Sequence, residues 1–283
     1  GAAGCDKAGT KLCSRCGKEA YCSAECQRRA WRTHKQVCQR VDTPENAIAE
    51  LLRAGRLYSA REALRELSSG HAQLQADLEE RIKAGVHSEI VDGRLRLESV
   101  EGFGTGYVAA KDLSEGDALL FDTAFVTAPM DGQQEFFFLI AEKAMRRGRS
   151  NARRTSARAD AQADFYYDRI KLLPLKGNMD RCWLDSTEDE ETREQLQVCS
   201  IAEGNCLYCT EEPNQASLFA AAAWFNHSCA PNAVLESTRS TALVRAAQAI
   251  PEGTEVTISY LPLALLDSAS RRERLEAGRG FEC

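Results

Sequence analysis

The sequence predicts an α+β protein: a small cysteine-rich metal module, a helical connector, and a mostly-β body carrying a helical insertion. Three observations lead there. Six of the twelve cysteines fall within the first 38 residues. Apolar residues then recur at helical spacing between Ile48 and Ile82. From His87 onward, and again after Asn226, the hydrophobic period falls to two, the mark of half-buried strands.

The first element reads Cys5, Cys13-x2-Cys16, Cys22-x3-Cys26 and His34-x3-Cys38. Thiolates two or three residues apart can clasp one Zn²⁺, and a His-x3-Cys pair presents nitrogen and sulfur from adjacent turns of one helix face. Clustered in this way, the cysteines point to metal and a reducing compartment, cytoplasm or nucleus, rather than a disulfide framework. Residues 1–41 hold nine Lys or Arg against three Asp or Glu, a basic face that balances metal-bound thiolates. With a net charge of −6 for the whole chain, this argues against nucleic acid as the partner.

A capping hydroxyl and a proline at the first helical position, Thr43-Pro44, start the connector. Its apolar stripe runs through Ile48, Leu51, Leu52, Leu64, Leu67, Leu74, Leu78 and Ile82, interrupted near Gly55 and Gly70, so two or three helices are expected. His71 and His87 lack ligand spacing and read as surface or packing residues. Around Asp92-Gly93, "HSEIVDGRLRLESV" predicts a hairpin.

In "EGFGTGYVAAKDLSEGDALLF", Gly104-x-Gly106-x-x-Ala109 matches the dinucleotide fingerprint, but that motif must open a helix. Strand, turn and strand are expected here, which excludes the Rossmann reading. A glycine bend between strands still lets a ligand press on the backbone. Residues 130–200 read as an insertion: "QEFFFLIAEKAMRRGR" is helical, Lys143 to Arg158 carries seven basic residues and no acid and is expected to be disordered, and Glu188 to Glu194 is an acidic, solvated helix. No run approaches the ~18 apolar residues of a membrane span. The start, "GAAGC", has neither a signal-peptide core nor an initiator Met and reads as cut from something longer.

Strands are expected in "NAVLEST", "TALVRAAQAI" and "TEVTISY", with Pro251-Glu252-Gly253 as the last turn, and a helix over Ser268 to Ala277. Before them stands "FNHSCAPNAV". Its Asn-His-Ser-Cys run suits a nucleophile with its base, metal ligands, or a polar turn. Neighbours on one short segment rarely reach nucleophile-to-base geometry, which disfavours a cysteine hydrolase. The pair Cys206-x2-Cys209 has no partner pair nearby and reads as core.

Two resemblances narrow these alternatives. "LCSRCGKEAYCSAECQRRAWRTHKQVC" resembles the MYND zinc finger. That resemblance implies two zincs, one on Cys13, Cys16, His34 and Cys38, the other on Cys5, Cys22 and Cys26 with Ala2 at the fourth position, and a proline-rich peptide partner. "GFGTGYVAAKDLSEGDALLF", "FNHSCAPN" and "VRAAQAIPEGTEVTISY", taken in order, resemble the SET domain of protein lysine methyltransferases, in the version paired with a MYND finger. Better-known members insert the finger after the GxG segment, whereas here it precedes it.

The SET resemblance implies a knot-like crossing of the NHSC segment with the last strand. It implies S-adenosylmethionine held by Gly104, Thr105, Gly106, Asn205, Asn226 and His227, with Phe281 as an aromatic wall and Tyr260 as the catalytic hydroxyl. It also assigns Cys229 and Cys283 to a post-SET zinc whose other two ligands this chain lacks. The expected layout is a finger at 1–41, a connector at 42–86 and a SET domain at 87–283, with the insertion at 130–200 and the start of a truncated post-SET region at 261–283. The expected function is S-adenosylmethionine-dependent methylation of a protein substrate's lysine, with no membrane partner. Its rival is a catalytically silent adaptor recruiting proteins through the finger.

Overall fold

The computed structural model describes residues 11–13, 19–36, 38, 43–67, 70–84, 87–129, 135–151, 189–208, 214–261, 266–279 and 281–283. At the N-terminus, β1 (Lys11–Leu12) pairs antiparallel with β2 (Ala20–Tyr21), and α1 (Ala24–His34) follows. Ser23 caps α1 by accepting from Cys26 N at 3.1 Å.

The connector is three helices, α2 (Pro44–Arg53), α3 (Leu57–Glu66) and α4 (Ala72–Ala84). Thr43 accepts from Asn46 N at 3.3 Å with Pro44 in the first turn. The chain turns between helices at Gly55 (φ +75°) and Gly70 (φ +131°), where a Cβ would be strained. No side chain of its own segment caps α3. Glu89, buried in β3 (Ser88–Ile90), does so instead, taking Tyr58 N at 2.8 Å and Ser59 N at 3.3 Å. This carboxylate ties connector to body, and the apolar stripe packs on the sheet through Ile48, Leu52, Leu57, Phe121 and Leu243.

Asp92 (φ +50°) and Gly93 (φ +63°) form the expected tight turn, but it does not close a hairpin. Strand β3 pairs with β6 (Ala118–Thr123), whereas β4 (Leu95–Val100) pairs with β5 (Gly104–Ala109). The turn thus sends the chain from one sheet to another, a choice set by long-range partners that local turn chemistry cannot encode. The larger sheet runs β11-β12-β6-β3, with β11 (Ala233–Ser237) and β12 (Thr241–Ala246) as an antiparallel pair. Strand β7 (Val126–Pro129) joins β9 (Gln215–Leu218) and β8 (Leu207–Tyr208) in a three-stranded sheet covered by α5 (Glu135–Asn151) and α6 (Glu190–Asn205).

The expected disorder from Lys143 gives way to helix as far as Asn151, because that stretch continues α5, whose Ile140, Ala141 and Ala144 are fully buried. The acidic helix starts at Glu190, capped by Asp189, which takes Thr192 N at 2.7 Å. Residues 152–188 lie outside the described residues. So do Cys5, Cys16, Cys209 and Ala2. Strand β10 (Asn226–His227) and β13 (Thr257–Ile258) pair parallel, and α7 (Ser268–Arg279) closes the described chain before 281–283.

Candidate functional site

Two segments far apart in sequence meet in the β10–β13 crossing, with Asn226 opposite Thr257 and His227 opposite Ile258. Ser228 N donates to Ile258 O at 2.9 Å. Asn232, six residues past Asn226, locks the crossing: its Nδ2 donates to Glu255 O at 2.8 Å and its Oδ1 accepts from Thr257 N at 2.8 Å. The second Asn of "FNHSCAPN" is therefore a backbone clamp.

Glycine is required where β5 meets this crossing. A Cβ on Gly106 would stand 2.6 Å from Asn226 Nδ2 and 3.0 Å from Glu255 Oε1, so it could be added only if the Asn226 amide or β5 moved. In that contact the Asn226 amide donates to Glu255 at 2.7 Å. Gly104 (φ +79°) has open space where its side chain would be, so conformation rather than crowding calls for glycine there. Thr105 is exposed beside it. Together Gly104, Thr105 and Gly106 form a cradle poor in side chains that ends against the Asn226 amide and the Glu255 carboxylate.

His227 is buried, and its Nδ1 accepts from Tyr260 N at 3.0 Å. Burial, then the charges of Arg279 and Arg271, push its pKa down to about 4, so the ring is neutral at physiological pH. With Nδ1 accepting, the ring proton sits on Nε2, 3.3 Å from Cys229 Sγ. His227, Cys229 and Cys283 lie within one coordination sphere. That tautomer leaves His227 no lone pair for a metal, so the two thiols are the donors in this cluster.

Tyr260 donates from its hydroxyl to Phe225 O at 2.6 Å. Burial pushes its pKa up to about 12, against a lowering by Arg279. The phenol is thus a neutral donor. Rings surround it: His227 at 5.2 Å, Phe281 at 6.5 Å edge-on, and the Arg279 guanidinium 4.8 Å over its face. A groove of about 520 Å³ opens beside it, walled by Leu207, Tyr208, Val234, Leu235, Leu261 and Arg279.

Asn205 is placed differently. It ends α6, buried, and its Nδ2 is committed to the Ile201 carbonyl at 2.8 Å, while its neighbours Cys206 and Leu207 line the groove. Burial pushes the Cys206 thiol up to about 12, the behaviour of a core residue.

Two supporting residues were missed by sequence reasoning. Glu255 holds the Asn226 amide, as above. Asp122, fully buried in β6, accepts from Ala221 N at 2.8 Å and Ala222 N at 2.9 Å, pinning the short helical turn Ala222–Trp224 that delivers Phe225 and Asn226. A lone acid inside the apolar run "ALLFDTAFV" was the available signal. Asp122→Ala should lower stability by about 2–4 kcal/mol, since two buried N–H groups lose their acceptor, whereas Asn, which keeps an acceptor oxygen, should recover part of the loss. Denaturant titration of the three proteins checks this.

In the N-terminal module, Cys13, His34 and Cys38 are buried with their donor atoms mutually within 4.8 Å. The two sulfurs are 3.8 Å apart. Ligands ~2.3 Å from a tetrahedral Zn²⁺ stand about 3.8 Å from one another, and a disulfide would need about 2 Å, so the residues fit zinc. Tyr21 and Trp31 pack edge-on to His34 at 6.0 and 5.9 Å. Cys26 is buried and Cys22 half-buried nearby. Native mass spectrometry should find zinc on the protein, reduced in Cys38→Ser; a zinc-free protein, or a disulfide among these cysteines, would contradict the assignment.

The SET domain family model matches residues 7–261. The chain belongs to the SET domain family. The zebrafish (Danio rerio) N-lysine methyltransferase SMYD2-B is 24% identical over 277 residues, covering 98% of this chain and 47% of that relative. Human (Homo sapiens) N-lysine methyltransferase SMYD2 is 36% identical over 91 residues, 30% of this chain and 21% of the relative. The chain thus spans at most about half the length of these curated relatives. A solved structure described as the SET domain of LSMT bound to lysine and AdoHcy is similar at 14% identity and a TM-score of 0.41, covering 68% of this chain and 54% of that one.

Proposed function

We propose that this protein methylates lysine side chains of protein substrates, with S-adenosylmethionine as methyl donor. One observation carries the reading: the Gly106–Asn226–Glu255 cradle and the Tyr260 hydroxyl stand on the same β10–β13 crossing, next to an open groove. Membership of the SET family and similarity to proteins named as N-lysine methyltransferases support it.

In this reading, Gly104, Thr105, Gly106, Asn226 and His227 hold the cofactor, Asn205 serves from the end of α6, and Phe281 walls the site. When bound, S-adenosylmethionine would supply an electrophilic methyl whose transfer to a neutral lysine amine leaves S-adenosylhomocysteine and releases one proton. The chain's own part is positioning and desolvation. Lysine ionises near ~10.4 in water, so a dry channel must favour the neutral amine. The rings of Tyr260, His227 and Phe281 exclude water there, and the Tyr260 hydroxyl orients the amine. The Phe225 carbonyl that accepts the Tyr260 proton fixes that hydroxyl.

Zinc would be held by Cys13, Cys16, His34 and Cys38, with Cys5, Cys22 and Cys26 at a second finger site and Cys229 with Cys283 near the crossing. A finger at 1–41, a connector at 42–86 and a catalytic body from 87 are proposed as the working units, in a reducing compartment. The finger would recruit a proline-rich peptide.

A silent adaptor would bind partners through the finger and leave the cradle empty. Calorimetry with S-adenosylmethionine, followed by labelling of a cell extract with radiolabelled cofactor and the full-length protein, separates the two. Cofactor binding and labelled lysine are expected. A folded protein that binds no cofactor would be the adaptor.

A further inference from the structure

We propose that Arg279 reads a carboxylate in the substrate, so that the groove at Tyr260 takes a lysine set among apolar residues with an acidic neighbour rather than a lysine in a basic tail. The proposal rests on the methyltransferase reading and names the substrate class of that same groove.

The groove walls decide the neighbours. Leu207 and Tyr208 come from β8 and Val234 and Leu235 from β11; Tyr208 is 54% exposed and Val234 51%, apolar surface that a substrate's side chains would cover. Both strands are edges of their sheets, and Ser237 Oγ, donating to Tyr208 O at 2.7 Å, ties them together.

Among the described residues lining the groove, Arg279 alone is charged. Its guanidinium is half-buried against the Tyr260 ring at 4.8 Å. Among the described residues, no carboxylate lies within ion-pair distance of it. The acids nearest to it in sequence, Glu276 and Glu282, are exposed and do not line the groove, and Glu255 acts on Tyr260 from outside the groove. Arg271, on the same helix, adds to the potential felt at His227, and His227 itself is neutral. The Glu255 carboxylate already accepts from Asn226 at 2.7 Å. Burial holds the Cys206 thiol more firmly protonated than usual, so it adds no negative charge to the groove.

A cation half-withdrawn from water on an apolar wall gains from an incoming carboxylate, because charge-assisted hydrogen bonds replace lost hydration. The same cation repels Lys or Arg beside the target, which supplies discrimination by exclusion as well as attraction.

The test uses the full-length protein and three fluorescein-labelled peptides, each with one lysine among Ala and Leu and with Asp, Asn or Lys on both sides of it. Binding by fluorescence anisotropy in S-adenosylhomocysteine is read separately from methylation with S-adenosylmethionine. Wild type should favour the Asp peptide over the Lys peptide by roughly tenfold in both readouts, less at high salt. Arg279→Glu should invert the order and Arg279→Met should flatten it, with circular dichroism confirming that both fold. A merely structural Arg279 would lower activity on all three peptides without reordering them. Equal or Lys-favouring wild-type binding, or the same order in Arg279→Glu, overturns the proposal. Charge-ranked binding that inverts in the variant, without methylation of any peptide, overturns the methyltransferase reading alone.

Discussion

Tyr260→Phe should slow methyl transfer by roughly ten- to a thousandfold while cofactor affinity stays nearly unchanged. The ring remains, so the contacts with His227, Phe281 and Arg279 that hold it persist. What disappears is the hydroxyl, with its 2.6 Å bond to Phe225 O and the hold on the amine proposed for it. Single-turnover rates with saturating cofactor read the chemical step, and calorimetry reads affinity. Because Tyr260 stays protonated to about 12, a basic-limb inflection near ~10 in the rate profile would belong to another group. A Phe variant as fast as wild type would remove Tyr260 from the chemistry.

Gly106→Ala should weaken S-adenosylmethionine binding by roughly tenfold or more. The added methyl would lie 2.6 Å from Asn226 Nδ2, so either β5 shifts or the Asn226 amide abandons Glu255. Both outcomes spoil the cradle and leave most of the core intact, because Gly106 lies opposite the exposed Glu98 of β4 rather than among the core side chains. Gly102→Ala, a turn residue at φ +80° with open space around its Cβ position, serves as the control for backbone strain alone. Thermal unfolding should move little in the Gly106 variant; affinity equal to wild type in a folded protein would rule out the cradle as the cofactor site.

How much of this was legible beforehand depended on whether information was local. Thr43-Pro44 announced a helix start because capping is written within four residues, and the Ile48–Ile82 stripe announced a connector because amphipathic period is local too. The glycine-rich segment was readable as strand rather than helix, and β5 begins at Gly104 itself. The Asp92-Gly93 hairpin was misread for the opposite reason. Its turn is genuine, yet β3 finds its partner in β6 some thirty residues on, a preference set by burial of Phe121 and Leu120 rather than by the turn.

In the site, the run of Asn226, His227 and Cys229 was visible as chemistry, but its supports were not. Asp122 and Glu255 look like ordinary acids in sequence, and only the fold shows one pinning the turn before Phe225 and the other holding an amide. The charged helix was expected to end at Ala277, whereas α7 runs on to Arg279, whose place over the Tyr260 ring depends on how that helix packs. Which nitrogen of His227 carries the proton was equally beyond the sequence, since it follows from a backbone N–H thirty-three residues away.

The central claim, that the β10–β13 crossing delivers a methyl to a lysine amine, is tested most directly by tandem mass spectrometry of proteins labelled with isotopically marked S-adenosylmethionine. Full-length wild type and Tyr260→Phe are compared in parallel on one cell extract. The account predicts the heavy methyl on lysine Nζ with wild type, with little or none in the variant. A heavy methyl on another residue type, equal labelling by both proteins, or none by a wild type that binds the cofactor would contradict it.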